Sequence, residues 1–147
     1  MCSWCKCDVK QLKEFQKRLE RLQKADMKAF CESASKELAA RLLGKVINRT
    51  PVDSGVLKKG WTGGATQSAK TYANSLPVSI NGDSYSITIL NPIEYGVYVE
   101  YGHRTRNHTG WVEGRFMLTK SQIELESELP KLLERKLLKY FGEVFND

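Results

Sequence analysis

Long apolar runs are missing from this chain of 147 residues. No segment approaches the roughly 18 consecutive apolar residues of a membrane-spanning helix, so no membrane partner is expected. The opening MCSWCKCDVK has no apolar stretch of the kind a secretory signal carries. The expectation is a protein made and kept in a cytoplasm. Cysteine is scarce and crowded, with Cys2, Cys5 and Cys7 at the start and Cys31 alone later. Four thiols make no disulfide framework for a chain this long, and reduced thiols are expected. The C-x2-C-x-C start is half of a zinc site without its second half, so no metal and no cofactor are expected. The two histidines, His103 and His108, have no nucleophile or carboxylate at a diagnostic spacing. Nothing resembles the complete constellation of an active site, and a non-enzyme is expected.

What is present is globular. Hydrophobic residues make up 41% and charged residues 27%, values of a folded domain. The formal net charge of +6 favours acidic partners, nucleic acid among them. Yet the lysines and arginines lie mostly on helices already crowded with glutamate.

Apolar spacing places the elements. Asp8 is positioned to cap a helix from about Val9 to Lys24, with Val9, Leu12, Phe15, Leu19 and Leu22 in one stripe. Either Asp26 caps a second helix or the first continues. From Met27 to Arg49 a more regular stripe (Phe30, Ala34, Leu38, Leu42, Val46) marks the principal helix, which Pro51 stops. Thr50-Pro51-Val52-Asp53-Ser54-Gly55 reads as a structural turn, with Asp53 capping a short helical turn whose Val56 and Leu57 point inward. Residues 62–75 read as a weak strand or a loop. Leu76, Val78 and Ile80 alternate before Asn81-Gly82, a hairpin signal, and Tyr85, Ile87 and Ile89 alternate after it. Glu94 to Tyr101 fits a short helix. A C-terminal helix runs from Arg115, and Pro130 either kinks it or starts a second one.

The expected fold is α+β: a small antiparallel sheet packed against the long helix of the N-terminal half and the C-terminal helix. The expected organisation is a flexible cysteine-containing tail over 1–8 and a single domain over 9–147, with the loop 102–114 protruding. That loop follows Tyr95, Tyr98 and Tyr101 and carries His103, Arg104, Thr105, Arg106, His108 and Trp111, with Arg115 directly after it. Aromatics and arginines are the anchors of protein interfaces, and long loops without regular structure are usually functional. Tyr98, Tyr101, His103, Arg104, Thr105, Arg106, His108, Trp111 and Arg115 are therefore the candidate protein-interface residues. Arg104, Arg106 and Arg115 also suit DNA phosphates, contacts blind to sequence. A stand-alone, sequence-nonspecific nucleic-acid-binding domain is the alternative function.

Three segments in order carry a resemblance: 49–55 (RTPVDSG), Asn91-Pro92 through Tyr101-Gly102-His103-Arg104-Thr105, and 110–118 (GWVEGRFML). Together they resemble the tail-component family of long-tailed bacteriophages, whose members are also called neck, tail-completion or head–tail joining proteins. The resemblance implies a structural virion protein. It implies a homo-oligomer, a hexameric ring at the head-proximal end of the tail tube. Its neighbours would be the tail tube protein and the head-side connector or stopper, with nonspecific contact to genomic DNA in the channel. Assembly in the host bacterial cytoplasm would precede its place in the virion neck.

Overall fold

A computed structural model describes residues 9–23 and 26–146. The cysteine-containing segment 1–8 and Lys24, the expected end of the first helix, lie outside these residues. The chain folds as α+β, with six helices and two separate antiparallel hairpins among the described residues. The helices are α1 (Val9–Gln23), α2 (Met27–Arg49), α3 (Val56–Gly60), α4 (Ala69–Ser75), α5 (Gly96–Tyr101) and α6 (Met117–Asn146). The hairpins are β1 (Ser79–Asn81) with β2 (Ser84–Ser86), and β3 (Gly102–Arg104) with β4 (Trp111–Glu113).

Helix α2 is the axis of the core. Asp26 caps it, its carboxylate accepting from the Ala29 N–H at 3.0 Å, so a new helix starts there. Ala34 is buried nearer its start, and Ala39, Leu43 and Val46 are buried along one side. Against them pack Leu57 and Trp61 from around α3, Ala73 of α4 and Met117 at the start of α6. The exit of α2 is tied down by hydrogen bonds. Thr50 Oγ1 donates to the Val46 carbonyl at 2.7 Å and accepts from Trp61 Nε1 at 2.9 Å. Trp61 is thus a core residue at the end of α3.

Helix α4 corrects the reading of 62–75 as strand or loop. Ser68 caps it through the Thr71 N–H at 3.1 Å. Its small inward residue Ala73, fully buried, lets it lie close on α2. Three-residue strands replace the longer alternating ones expected. The ladder runs from Ser79–Ser86 to Asn81–Ser84 and stops near Pro77, which has no N–H to give a sheet. The alternation survives as half-burial of Ile87 and Ile89 against the core.

Helix α6 is continuous through Pro130. It begins at Met117 rather than Arg115, because Phe116 has a left-handed φ of 52°. The N–H groups of Arg115 and Phe116 donate instead to the carbonyls of Val99 and Glu100, at 2.8 and 3.0 Å. Charged side chains join α6 to α2. Lys45 Nζ lies 2.6 Å from Glu124 and 2.9 Å from Glu128. Arg49 donates to Ser121 at 3.0 Å and to Glu124. Lys136 reaches Glu37 at 2.8 Å. These cations hold the carboxyls of Glu124 and Glu37 below the ordinary carboxylate range, and Glu124 and Glu128 push the Lys45 ammonium up. Helix α1 lies against α6, with Leu12, Phe15 and Leu19 of its apolar stripe exposed.

Candidate interaction surface

The surface is assembled from the end of α5 upward. Asn91 fixes the approach. Its side chain donates to the Leu57 carbonyl at 2.9 Å and accepts from the Ile93 N–H at 3.1 Å, so the Asn-Pro segment is hooked to α3. Helix α5 follows, and Glu100 is its buried residue. The Glu100 carboxylate accepts from the Leu118 N–H and the Thr119 N–H, each at 2.9 Å, and from the Thr119 hydroxyl at 2.7 Å. A glutamate on one helix thereby caps the start of another, where free N–H groups and the helix dipole favour negative charge.

The segment 102–114 carries its own secondary structure. Gly102 faces Glu113, His103 faces Val112 and Arg104 faces Trp111. The base of this hairpin admits only glycine at two places. Gly102 has a φ of 87°, and a Cβ there would overlap the Val112 carbonyl. At Gly114 a Cβ would overlap the Glu100 carbonyl. The tip is organised by Thr105. Its N–H donates to the Gly110 carbonyl at 3.0 Å, its hydroxyl accepts from the Gly110 N–H at 2.9 Å, and its carbonyl accepts from the His108 N–H at 2.8 Å. Of the candidate interface residues, Thr105 thus builds the tip, and its side chain is half-buried.

The other candidates are displayed. Tyr98, Tyr101 and Trp111 are each 59% exposed. His103 stands edge-on to Tyr98, with ring centroids 6.2 Å apart, and Phe116 edge-on to Tyr101 at 6.4 Å. Tyr95 and Phe116 are exposed too, and so are Val97 and Val112. Arg104, Arg106, His108 and Arg115 are exposed and make no ion pair among the described residues. A row of unburied rings beside unpaired guanidinium groups has the composition of an interface core.

The turn after α2 lies beside α5. Pro51, Asp53 and Gly55 line a groove of about 480 Å³ together with Val52, Tyr95 and Val99. Asp53 does not cap α3. The capping position is Gly55, with a φ of 78°, and the side chain that reaches the helix start is that of Ser54, whose Oγ accepts from the Val56 N–H at 3.5 Å. A left-handed residue directly before α3 turns the chain so that the Asp53 carboxylate misses the free N–H groups. Val56, expected inward, is exposed, whereas Leu57 is buried. Thr50 is buried in the Trp61 hydrogen bond described above.

Sequence reasoning missed Glu100 and Asn91. Both are polar residues in apolar or turn contexts, and Glu100 alone among the tyrosines and valines of α5 was the available signal. Two of the three motif segments converge in space, since 49–55 and 91–102 share the groove and Asn91 bonds to Leu57 just beyond the first. The third packs on the second, through the Arg115 and Phe116 N–H groups and the Leu118 bond to Glu100.

No curated protein and no solved structure matches this chain. A protein-family model does match, over residues 13–102, more than half of the length, and it takes in the first two motif segments through Gly102. The chain belongs to that family, described as "Bacteriophage HK97-gp10, putative tail-component".

Proposed function

We propose that this tail component is a structural protein of the virion neck. Copies form a ring at the head-proximal end of the tail tube, and the ring joins the tail to the head-side connector. The chain contributes binding surfaces and no catalytic step. The observation that carries this reading is the exposed row Tyr98, Tyr101 and Trp111, held on a short helix and a glycine-based hairpin. Fixing such rings in advance lowers the entropy cost of docking. A virion part that must seat on its neighbours has a use for that, and a free-standing domain does not.

The test is complementation of a phage lacking this gene with a Tyr101→Ser, Trp111→Ser double variant. Both residues are exposed, so the variant is expected to fold and to leave filled heads and finished tails unjoined in micrographs. Normal numbers of joined particles would remove the surface from the joining step. The arginines also allow contact with DNA in the channel. Such contact would weaken steeply with salt, and a charge-to-alanine set at Arg104, Arg106 and Arg115 separates it from the aromatic contribution.

A further inference from the structure

The hairpin and the turn after α2 present complementary features. On the hairpin, Arg104 and Trp111 are cross-strand partners. Directly opposed residues of an antiparallel pair project from the same face, so a cation and an indole stand side by side there, both exposed. At the turn, the groove of about 480 Å³ is walled by Pro51, Val52, Tyr95 and Val99, and Asp53 is its single charged lining residue. The Asp53 carboxylate has no cation and no backbone partner among the described residues, and Val52 beside it is 65% exposed.

We propose that this groove receives the hairpin of a second copy of the same chain. Trp111 of one copy fills the apolar groove of the next, and Arg104 pairs with Asp53. Trp and Arg are the residues that anchor interfaces most often, and a guanidinium–carboxylate bond is charge-assisted. The two patches share no residue, so one copy can give its hairpin to one neighbour and its groove to another. Made in that way the contact is heterologous, and repetition of a heterologous contact closes a ring when the rotation permits. This contact rests on the reading of the chain as a ring-forming tail component and supplies that ring's subunit interface.

Charge reversal in trans tests it, with the mass of the purified full-length chain as the readout. Arg104→Asp opposes two carboxylates at every contact, and Asp53→Arg opposes two guanidinium groups. Each variant alone should associate about tenfold or more weakly than the natural chain, since like charges across an interface are strongly disfavoured. Mixed in equal amounts, the two variants restore an opposite-charge pair at every alternating contact, and assembly should return. Thermal midpoints of both variants should stay near that of the natural chain, because neither side chain has a partner among the described residues of its own subunit.

A natural chain that stays monomeric at all concentrations would overturn the proposal. So would single variants that assemble normally, or a mixture that fails to recover. Assembly that stops at dimers would overturn the ring geometry. If the aromatic double variant leaves particles unjoined while the mixture shows no rescue, the joining role stands and this subunit contact falls.

Discussion

At the seam between α2 and α6, Lys45 and Arg49 are held by Glu124 and Glu128, and Lys136 by Glu37. On the hairpin and directly after it, Arg104, Arg106 and Arg115 have no carboxylate partner among the described residues. The aromatics divide the same way. Trp61 is buried with its N–H bonded to Thr50, while Trp111 lies open beside Arg104. Where the chain holds itself together, each cation is answered within the subunit. On the surface proposed to meet another molecule, the exposed rings stand beside cations that have no carboxylate partner among the described residues. The contrast separates residues whose loss should cost stability from residues whose loss should cost assembly.

The joint between the two regions should give the largest effect. A Cβ on Gly114 would overlap three backbone atoms, the Glu100 carbonyl oxygen, the Tyr101 carbonyl carbon and the Gly102 nitrogen. Gly114→Val should cost about 3 kcal/mol and release the hairpin from α5. Chemical denaturation measures the first, and hydrogen exchange of the Arg115 and Phe116 N–H groups the second. Retained protection of those two groups would mean that the hairpin does not depend on this approach. Next comes Glu100→Ala, which leaves two N–H groups and a hydroxyl at the start of α6 without their acceptor. Lost caps and charge-assisted bonds cost about 2 kcal/mol together. A loss below the scatter of surface substitutions would show that water replaces the carboxylate.

A smaller effect, tied to pH, belongs to the seam. The Glu124 carboxyl is held below its ordinary value by bonds to Lys45 and Arg49, so it binds protons more readily in the unfolded chain. Stability from it is present above the ordinary carboxylate value of about 4.3 and is lost as pH falls through the lower folded-state value. Glu37 acts with the same sign through Lys136 and Arg41. Glu124→Gln should therefore lower Tm at pH 7, and the gap to the natural chain should close in acid. A gap that stays constant from pH 7 to acid would assign the loss to packing rather than to charge.

How far these regions could be read beforehand follows from the range of the interactions. Helix α2 was legible because its apolar stripe is a local signal, while the sequence left its start at Asp26 as one of two readings, between which the Ala29 N–H bond to Asp26 decides. The α5 aromatics and the hairpin arginines were legible as a cluster because they are close in sequence. Helix α4 was not, since its seven residues have too few apolar side chains to show a period, and contact with α2 is what secures it. The Glu100 cap was illegible for a different reason. Its partners lie 18 and 19 residues away, and only the left-handed Phe116 and the glycine at 114 bring them within reach.

Asp53 gives the smallest expected effect on stability and the sharpest discrimination. The sequence places it as a helix cap, for which replacement by alanine would cost about 1 kcal/mol. The structure puts Gly55 at the capping position and leaves the carboxylate on the groove wall. Asp53→Ala should therefore change stability by less than about 0.5 kcal/mol, the usual range for an exposed side chain without partners. It should at the same time weaken self-association, because the neighbour's Arg104 loses its acceptor. Denaturation midpoint and oligomer mass, measured on the same sample, decide between the two roles. A stability loss near the capping value with unchanged assembly returns Asp53 to the seam side of the contrast, as a residue that serves its own subunit. Unchanged stability with weakened assembly places it with Arg104 and Trp111, as a group whose partner belongs to the next molecule.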